Sequence, residues 1–317
     1  MTPLLVRLPN HLGDTLMALT ALERLAAADH ALTLIGKGWA RSLFGAYPWR
    51  IERAAEGWSA SVAQWRSLRQ AGGSDALLLT NSFGTALAAR FARLKVTAYA
   101  TDGRGIFLSR AVLVHPRWSR AGGDMHTVEY YDALAAAYLR QPLRRPPPLA
   151  LRLSHAAQDA ARGLLAGAGV TQPHVVLCPG ATGLHRGREK TWREFPQLCR
   201  WLVARGETVV ALPGPGERAQ FEAALPGATI LPEADVATFA AVIASARLVV
   251  ANDSGPSHVA AAVGAPLVAL FGVTEVERTR PWSERATVVG SQAGWPTFAA
   301  VTNAIEATLA SHLSTSK

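Results

Sequence analysis

Asp253, Ser254 and Gly255 stand where an apolar run, residues 248–251, gives way to Pro256 and an alanine-rich stretch. Read as strand, turn and helix, this puts unpaired backbone N–H groups and the positive end of a helix dipole at the turn. Pro256 suits a helix start, because its missing N–H needs no partner there. A turn of this kind takes an anion, a diphosphate above all. The Ser254 hydroxyl can cap the helix or donate to a phosphate oxygen, and the Asp253 carboxylate can accept from sugar hydroxyls. The plain alternative is an ordinary capped turn with His258 as a core histidine.

Three further loops carry related chemistry. Residues 179–192, PGATGLHRGREKTW, follow the apolar run HVVLC. Glycine there lets a ligand approach the backbone closely. His185, Arg186, Arg188 and Lys190 gather positive charge, and a lysine can neutralise a departing diphosphate as a point charge. Pro213-Gly214-Pro215-Gly216-Glu217 also follows an apolar run, and Glu217 can accept from ribose hydroxyls. Near the N-terminus, Leu12-Gly13-Asp14 opens the first helix, where a carboxylate can take a proton from an acceptor hydroxyl. The alternatives are a solvated basic loop, a surface glutamate and a helix N-cap.

Those loops need a scaffold of strands that end beside one another. Residues 3–8, 31–35 and 76–80 read as strands, with a helix over 15–28, an alanine-rich helix after residue 84 and another helix over 127–139. A second alternating series has strands at 174–178, 208–212, 229–231, 248–251 and 267–271, with a helix over 156–166 before it. Alternation of this kind predicts parallel sheets covered by helices. Pro142 and Pro146–Pro148 mark a linker between the two halves, since proline cannot continue a helix. The expectation is an α/β chain of two similar domains, 1–150 and 151–317, with ligands at the carboxyl ends of the strands.

Bulk properties narrow the class. The chain has 317 residues and a net charge of +9. Residues 1–160 carry 19 Lys and Arg against 11 Asp and Glu, whereas residues 161–317 carry 13 against 12. The basic excess therefore sits in the N-terminal half and suits an anionic partner, though an arginine-rich solubilising surface would look alike. Two cysteines, Cys178 and Cys199, are too few for a disulfide framework. The most apolar stretch, residues 259–273, is broken by Gly264 and Pro266 and falls short of a membrane span. Arg7 and Asp14 interrupt any secretory signal. There is neither zinc-ligand spacing nor a stacking aromatic set, which argues against nucleic acid. The two cysteines fit a reducing cytoplasm, which is the expected location.

Taken together, these motifs resemble glycosyltransferase family 9, the heptosyltransferases of lipopolysaccharide core assembly. Arg7 with Gly13-Asp14 is similar to that family's R…GD loop. Pro179-Gly180 with Lys190 and Trp192 is similar to its PG…K.W segment, and Gly214, Gly216 and Glu217 loosely match a GG..E-like turn. Its signature is matched by Asp253, Ser254, Gly255, His258, Ala260 to Ala262, Gly264, Pro266 and residues 269–274, with Ser254 where threonine is usual. Residues 103–131, with His126, Glu129 and Tyr130, are similar to its acceptor-domain stretch. A departure is the short segment 290–296, where many members have a longer, cysteine-bearing one.

The resemblance implies a GT-B fold, two Rossmann-like domains facing across a cleft. The N-terminal domain would take an anionic, lipid-linked saccharide acceptor and the C-terminal one an ADP-sugar donor, ADP-heptose in this family. Asp14 is then the catalytic base and Lys190 the catalytic cation. Pro179, Gly180, Thr182, Lys190 and Glu217 are implied on the donor, together with Asp253, Ser254, Gly255 and His258. Arg7, Asn10, Arg104, Arg120 and His126 are implied on the acceptor, with Arg90, Arg93 and Arg117 adding positive charge. The family inverts the anomeric centre in one displacement with no cofactor, and the chain has no Asp-X-Asp metal motif. A GT-B transferase with another nucleotide sugar or acceptor is the alternative, and a catalytically inert nucleotide-sugar-binding module a more distant one.

Overall fold

The structure is a computed structural model describing residues 1–120, 123–180, 184–185 and 187–314, with residues 184–185 and 311–314 described in their backbone only. It divides into two units, Met1–Pro147 and Pro148–Lys317. In the first, the strands are β1 (Thr2–Arg7), β2 (His30–Gly36), β3 (Arg50–Arg53), β4 (Asp75–Leu78), β5 (Lys95–Tyr99) and β6 (Arg110–Val112). In the second they are β7 (His174–Cys178), β8 (Leu184–His185), β9 (Arg188–Glu189), β10 (Thr208–Ala211), β11 (Thr229–Ile230), β12 (Leu248–Asn252), β13 (Leu267–Phe271) and β14 (Ala286–Gly290).

Among the described residues each unit holds one six-stranded sheet, ordered β3-β2-β1-β4-β5-β6 and β11-β10-β7-β12-β13-β14. Pairing is parallel throughout both, as in β1 with β2 and β4, or β7 with β10 and β12. The two orders are the same permutation, that of the Rossmann sheet. Each reverses direction between its first and fourth strands, where such folds leave a crevice for a ligand. Strands β7, β12 and β13 are buried at every residue. Continuous Val, Leu and Ala runs fit a sheet covered by helices on both faces. The small β8–β9 hairpin is antiparallel and stands apart from the main sheet.

Strands β3, β5 and β6 in the first unit and β14 in the second escape the sequence reading. β3 is Arg-Ile-Glu-Arg at a sheet edge and shows no apolar run, and β6 has three residues. The helix expected over 15–28 starts earlier and is broken. Helix Leu12–Met17 gives way at Ala18 (ψ −3°) to helix Leu19–Ala27. Helix Thr127–Leu139 has the expected bounds and is buried on nearly all sides as far as Ala136.

Helices Leu19–Ala27 and Thr127–Leu139 pack together, and a buried ion pair fastens them. Arg24 Nε donates to Asp132 Oδ1 (2.9 Å) and Arg24 Nη2 to Oδ2 (2.7 Å). Such two-point geometry fixes direction as well as distance. Asp132 is 3% exposed in its side chain, so removing one partner strands a buried charge. We expect Asp132→Ala to lower unfolding free energy by about 3 kcal/mol. Urea denaturation with an unchanged midpoint would show that the pair contributes nothing.

Candidate functional site

In the second unit the loops after β7, β10 and β12 share one edge, and Asn252 joins two of them. It is the last residue of β12 and fully buried. Its Nδ2 donates to the Pro179 carbonyl (2.7 Å) and its Oδ1 accepts from Trp192 N (3.1 Å). One amide therefore holds both ends of the loop that runs from β7 through the hairpin. Trp192 is held again where its Nε1 donates to the Pro296 carbonyl (3.0 Å). Sequence reasoning passed over Asn252, although a polar residue closing a wholly apolar strand was the signal available.

Glu217 sits where the loops after β10 and β7 meet. Its Oε2 accepts from Gly214 N (2.9 Å). A Cβ built on Gly214 would lie 3.0 Å from that oxygen, and one built on Gly180 would lie 3.8 Å from it. Both glycines thus leave the carboxylate room, and Gly216 turns the loop at φ +78°. Glu217 also starts helix Arg218–Ala224, so its carboxylate is fixed near the strand ends rather than waving on the surface.

Asp253 is buried directly after β12, its N–H donating to the Leu270 carbonyl (3.0 Å). Its carboxylate accepts from Thr279 Oγ1 (3.5 Å) and stands 4.0 Å from His258 Nε2. His258 is itself buried in helix Gly255–Ala262. Ser254 corrects one expectation: it occupies the N-cap position, but its side chain does not cap the helix. Its hydroxyl donates to the Asn252 carbonyl instead (3.2 Å), while its own carbonyl accepts from Ser257. Pro256 lies in the first turn, as its chemistry requires.

The hairpin loop is divided in role. Lys190 is half-buried, two residues before the anchored Trp192. Arg188, grouped above with the ligand-facing charges, donates to the carbonyls of Gly272 (2.9 Å) and Gln292 (3.2 Å). It braces the hairpin against the segments after β13 and β14. That bracing reaches the short 290–296 segment, whose Trp295 ring covers Gly272 so closely that a Cβ there would lie 2.1 Å from it. Thr182, expected on the donor, and Arg186 lie outside the described residues, and only the backbone of His185 is described.

In the first unit, Arg7 ends β1 and folds back on the loop that follows. It donates to the carbonyls of Leu8 and Ile35 and, through Nη2, to Asn10 Oδ1 (2.8 Å). Burial pulls its pKa below the ordinary arginine value. The braced loop leads into helix Leu12–Met17, where His11 holds the N-cap and Asp14 lies in the first turn, half-buried. Asp14 is not the cap. A carboxylate in a first turn is favoured by the helix dipole. The buried Tyr131 hydroxyl is pushed well up by desolvation and further by the nearby Asp14 charge. Beside Arg7 opens a cavity of about 330 Å³, whose walls include Trp58, Gln64, Trp65, Ser82 and Thr85.

Two residues expected on the acceptor take structural positions. Arg104 is completely buried, which removes it from the exposed cations. Its guanidinium donates to the carbonyls of Tyr99 and Thr80 and to Asn81 Oδ1 (2.6 Å), and Asn81 in turn bonds Tyr130. His126 is buried as the N-cap of helix Thr127–Leu139, accepting from Val128 N, with Glu129 bonding back to its N–H. Arg90, Arg93 and Arg120 are exposed, Arg120 standing 3.7 Å from Asp124. Arg117 is partly spent on Asp124 and Glu129.

The chain is similar to known proteins in sequence and in fold. The family model of glycosyltransferase family 9 (heptosyltransferase) matches residues 62–306. Lipopolysaccharide heptosyltransferase 2 of Escherichia coli K12 is 28% identical over 319 residues, covering 89% of this chain and 86% of that protein. Lipooligosaccharide heptosyltransferase 2 of Haemophilus influenzae is 34% identical over 134 residues, and that match covers 37% of this chain and only 36% of the relative. The solved structure of the E. coli ADP-heptose lipopolysaccharide heptosyltransferase II superposes with a TM-score of 0.78 at 25% identity, covering 98% of this chain and 99% of that one.

Two outcomes check the site. Asn252→Ala strands a buried carbonyl and a buried N–H, and should cost about 2 kcal/mol in urea denaturation; an unchanged midpoint would make the bridge incidental. Burial pushes the Cys178 thiol, directly beneath Pro179, up to about 12 and that of Cys199 up to about 11. Because the thiolate is the reactive form, neither cysteine should be alkylated at pH 8 until the protein is unfolded. Rapid labelling of the native chain would contradict the burial.

Proposed function

The chain belongs to glycosyltransferase family 9, the heptosyltransferases, and from that premise we propose that it transfers a heptose from ADP-heptose to a lipopolysaccharide inner-core acceptor. The observation that carries the reading is the convergence of loops at one edge of the second sheet. There Asn252 ties the β7 loop to β12, and Glu217 lies against Gly180. Parallel strands end at that edge, next to the start of helix Gly255–Ala262, which suits a diphosphate. The same topology recurs in the first unit, with Asp14 and a cavity beside Arg7 at its strand ends.

In this reading the second unit holds the donor. The backbone at Pro179–Gly180 and Ser254–Gly255 lies along the diphosphate, Glu217 accepts from ribose hydroxyls, and Asp253, steadied by Thr279 and His258, accepts from the sugar. Lys190 meets the diphosphate as a point charge. The first unit holds the acceptor, with Arg7 and Asn10 bracing the loop that carries Asp14. Asp14 takes the proton from the attacking acceptor hydroxyl. That oxygen bonds to the anomeric carbon from one side as the bond to the diphosphate oxygen breaks on the other. The configuration inverts, and ADP leaves with the negative charge that Lys190 and the helix start stabilise. The chain's own cations carry that charge, and no metal ion is needed.

The acceptor is borne on a lipid, so the enzyme works at the cytoplasmic face of the inner membrane as a peripheral protein. Among the described residues no helix is long and apolar enough to cross a membrane.

Asp14→Asn keeps the shape of the carboxylate and removes its basicity. It should lower kcat by about a thousandfold with donor affinity within about twofold. Full turnover in that variant would take the base away from Asp14. Lys190→Ala should weaken ADP binding by about tenfold in calorimetry, and equal affinity would leave Lys190 a surface charge. Turnover should persist in EDTA; loss restored by a divalent cation would overturn the metal-free displacement.

A further inference from the structure

Helix Phe83–Phe91 is built inside out. Its buried residues are Ala86, Ala88 and Ala89, whereas Phe83 and Phe91 are 46% and 57% exposed. Spacings of seven and eight residues set Phe83, Arg90 and Phe91 along one side of the helix, over about 12 Å of its length. The apolar stripe continues at both ends. Phe83 meets Phe107 edge-on, ring centroids 5.0 Å apart, and the neighbouring Ile106 is 81% exposed. Phe91 meets Trp58 edge-on at 5.7 Å, and Trp58 is 48% exposed. The hydrophobic effect puts phenylalanine inside and leaves alanine indifferent, so this ordering leaves a ridge that something else must cover.

Charge identifies the cover. From residue 76 to residue 101 there is no Asp or Glu, and Arg90, Arg93 and Lys95 are all exposed; Glu56, Asp75 and Asp102 flank the stripe in sequence, Asp75 opposite Lys95 in the sheet. Aromatic and aliphatic side chains interleaved with cations are the pattern of a helix lying in the interface of an anionic bilayer. Size points the same way. Four side chains at these exposures present on the order of 400 Å², about half of what each partner buries in a stable dimer. Position supplies a third reason. Trp58, Ser82, Gly84 and Thr85 line the cavity beside Arg7, so one helix start and one tryptophan belong to both the ridge and the cavity.

We propose that this ridge seats the protein on an anionic membrane. Phe83, Phe91 and Ile106 enter the headgroup layer, and Arg90, Arg93 and Lys95 meet lipid phosphates. The proposal rests on the lipid-borne acceptor inferred above and locates its approach: the saccharide rises from the plane in which the ridge lies and enters the cavity past Trp58.

Co-sedimentation with phosphatidylglycerol-rich vesicles tests it, using the full chain and the variants Phe91→Ser, Ile106→Ser and Arg90→Glu. All three sites are exposed, so thermal melting should match the wild type and each variant reports independently. Vesicle affinity at low salt should fall roughly tenfold for each of the three variants, and binding by the wild type should weaken more steeply as salt rises than binding by Arg90→Glu does. Transfer to a deacylated, water-soluble acceptor should be unchanged in Phe91→Ser and Ile106→Ser. Failure of the wild type to pellet, or variants that pellet as it does, would overturn the ridge. So would a wild-type dimer in sedimentation equilibrium that the serine variants dissociate, since a second copy would then be the cover. A wild type that pellets normally but transfers nothing to the soluble acceptor keeps the ridge and removes the proposed reaction instead.

Discussion

A single buried amide holds the candidate donor site together. Asn252 has both a donor and an acceptor on its side chain, and it uses them on two segments that the sequence separates by thirteen residues. The Pro179 carbonyl and the Trp192 N–H would otherwise be polar groups left in a core of Leu177, Phe195 and Val250. Leaving them unpaired is more costly than the bond is favourable, which makes the bridge a constraint as much as an attraction. The glycine-rich loop and Lys190 lie between those two anchors. Their position relative to Asp253 depends on Asn252 staying where β12 sets it.

The same economy recurs in the first unit. Arg7 spends its guanidinium on carbonyls and on Asn10, and Arg104 joins Thr80, Tyr99 and Asn81 in a closed polar network around Tyr130. Fully buried, Arg104 is worth having only because its N–H groups find partners. The basic surplus of residues 1–160 is thus not one surface. Part of it is internal scaffolding for strand-end loops, part is neutralised by Asp124, Glu129 and Asp132, and part, at Arg90, Arg93 and Lys95, stays exposed beside the aromatic ridge.

Structural likeness and family membership answer different questions here. Two Rossmann-like units in one chain are shared by many nucleotide-sugar reactions, so the architecture alone leaves the chemistry open. The family match, which runs from residue 62 to residue 306, places the chain in glycosyltransferase family 9. The geometry adds which groups are held rigidly, such as Glu217 and Asp253, and which are committed elsewhere, such as Arg188.

Local order alone dictated much of this. Apolar runs such as HVVLC and LVALF identify central parallel strands, the prolines at 146–148 separate two halves, and Gly and Asp after a strand locate the helix start at 12–14 and the turn at 253–255. These are readable because strand burial, proline's missing N–H and glycine's freedom act within a few residues. Tertiary structure alone decided the rest. Edge strands such as β3 carry no apolar signature, because half their surface meets water. The identities of Asn252 as bridge, Arg188 as brace and Arg104 as buried pillar depend on carbonyls far away in the chain. A polar side chain's role is set by which distant backbone groups folding brings within three ångströms or so, and no local pattern records that distance.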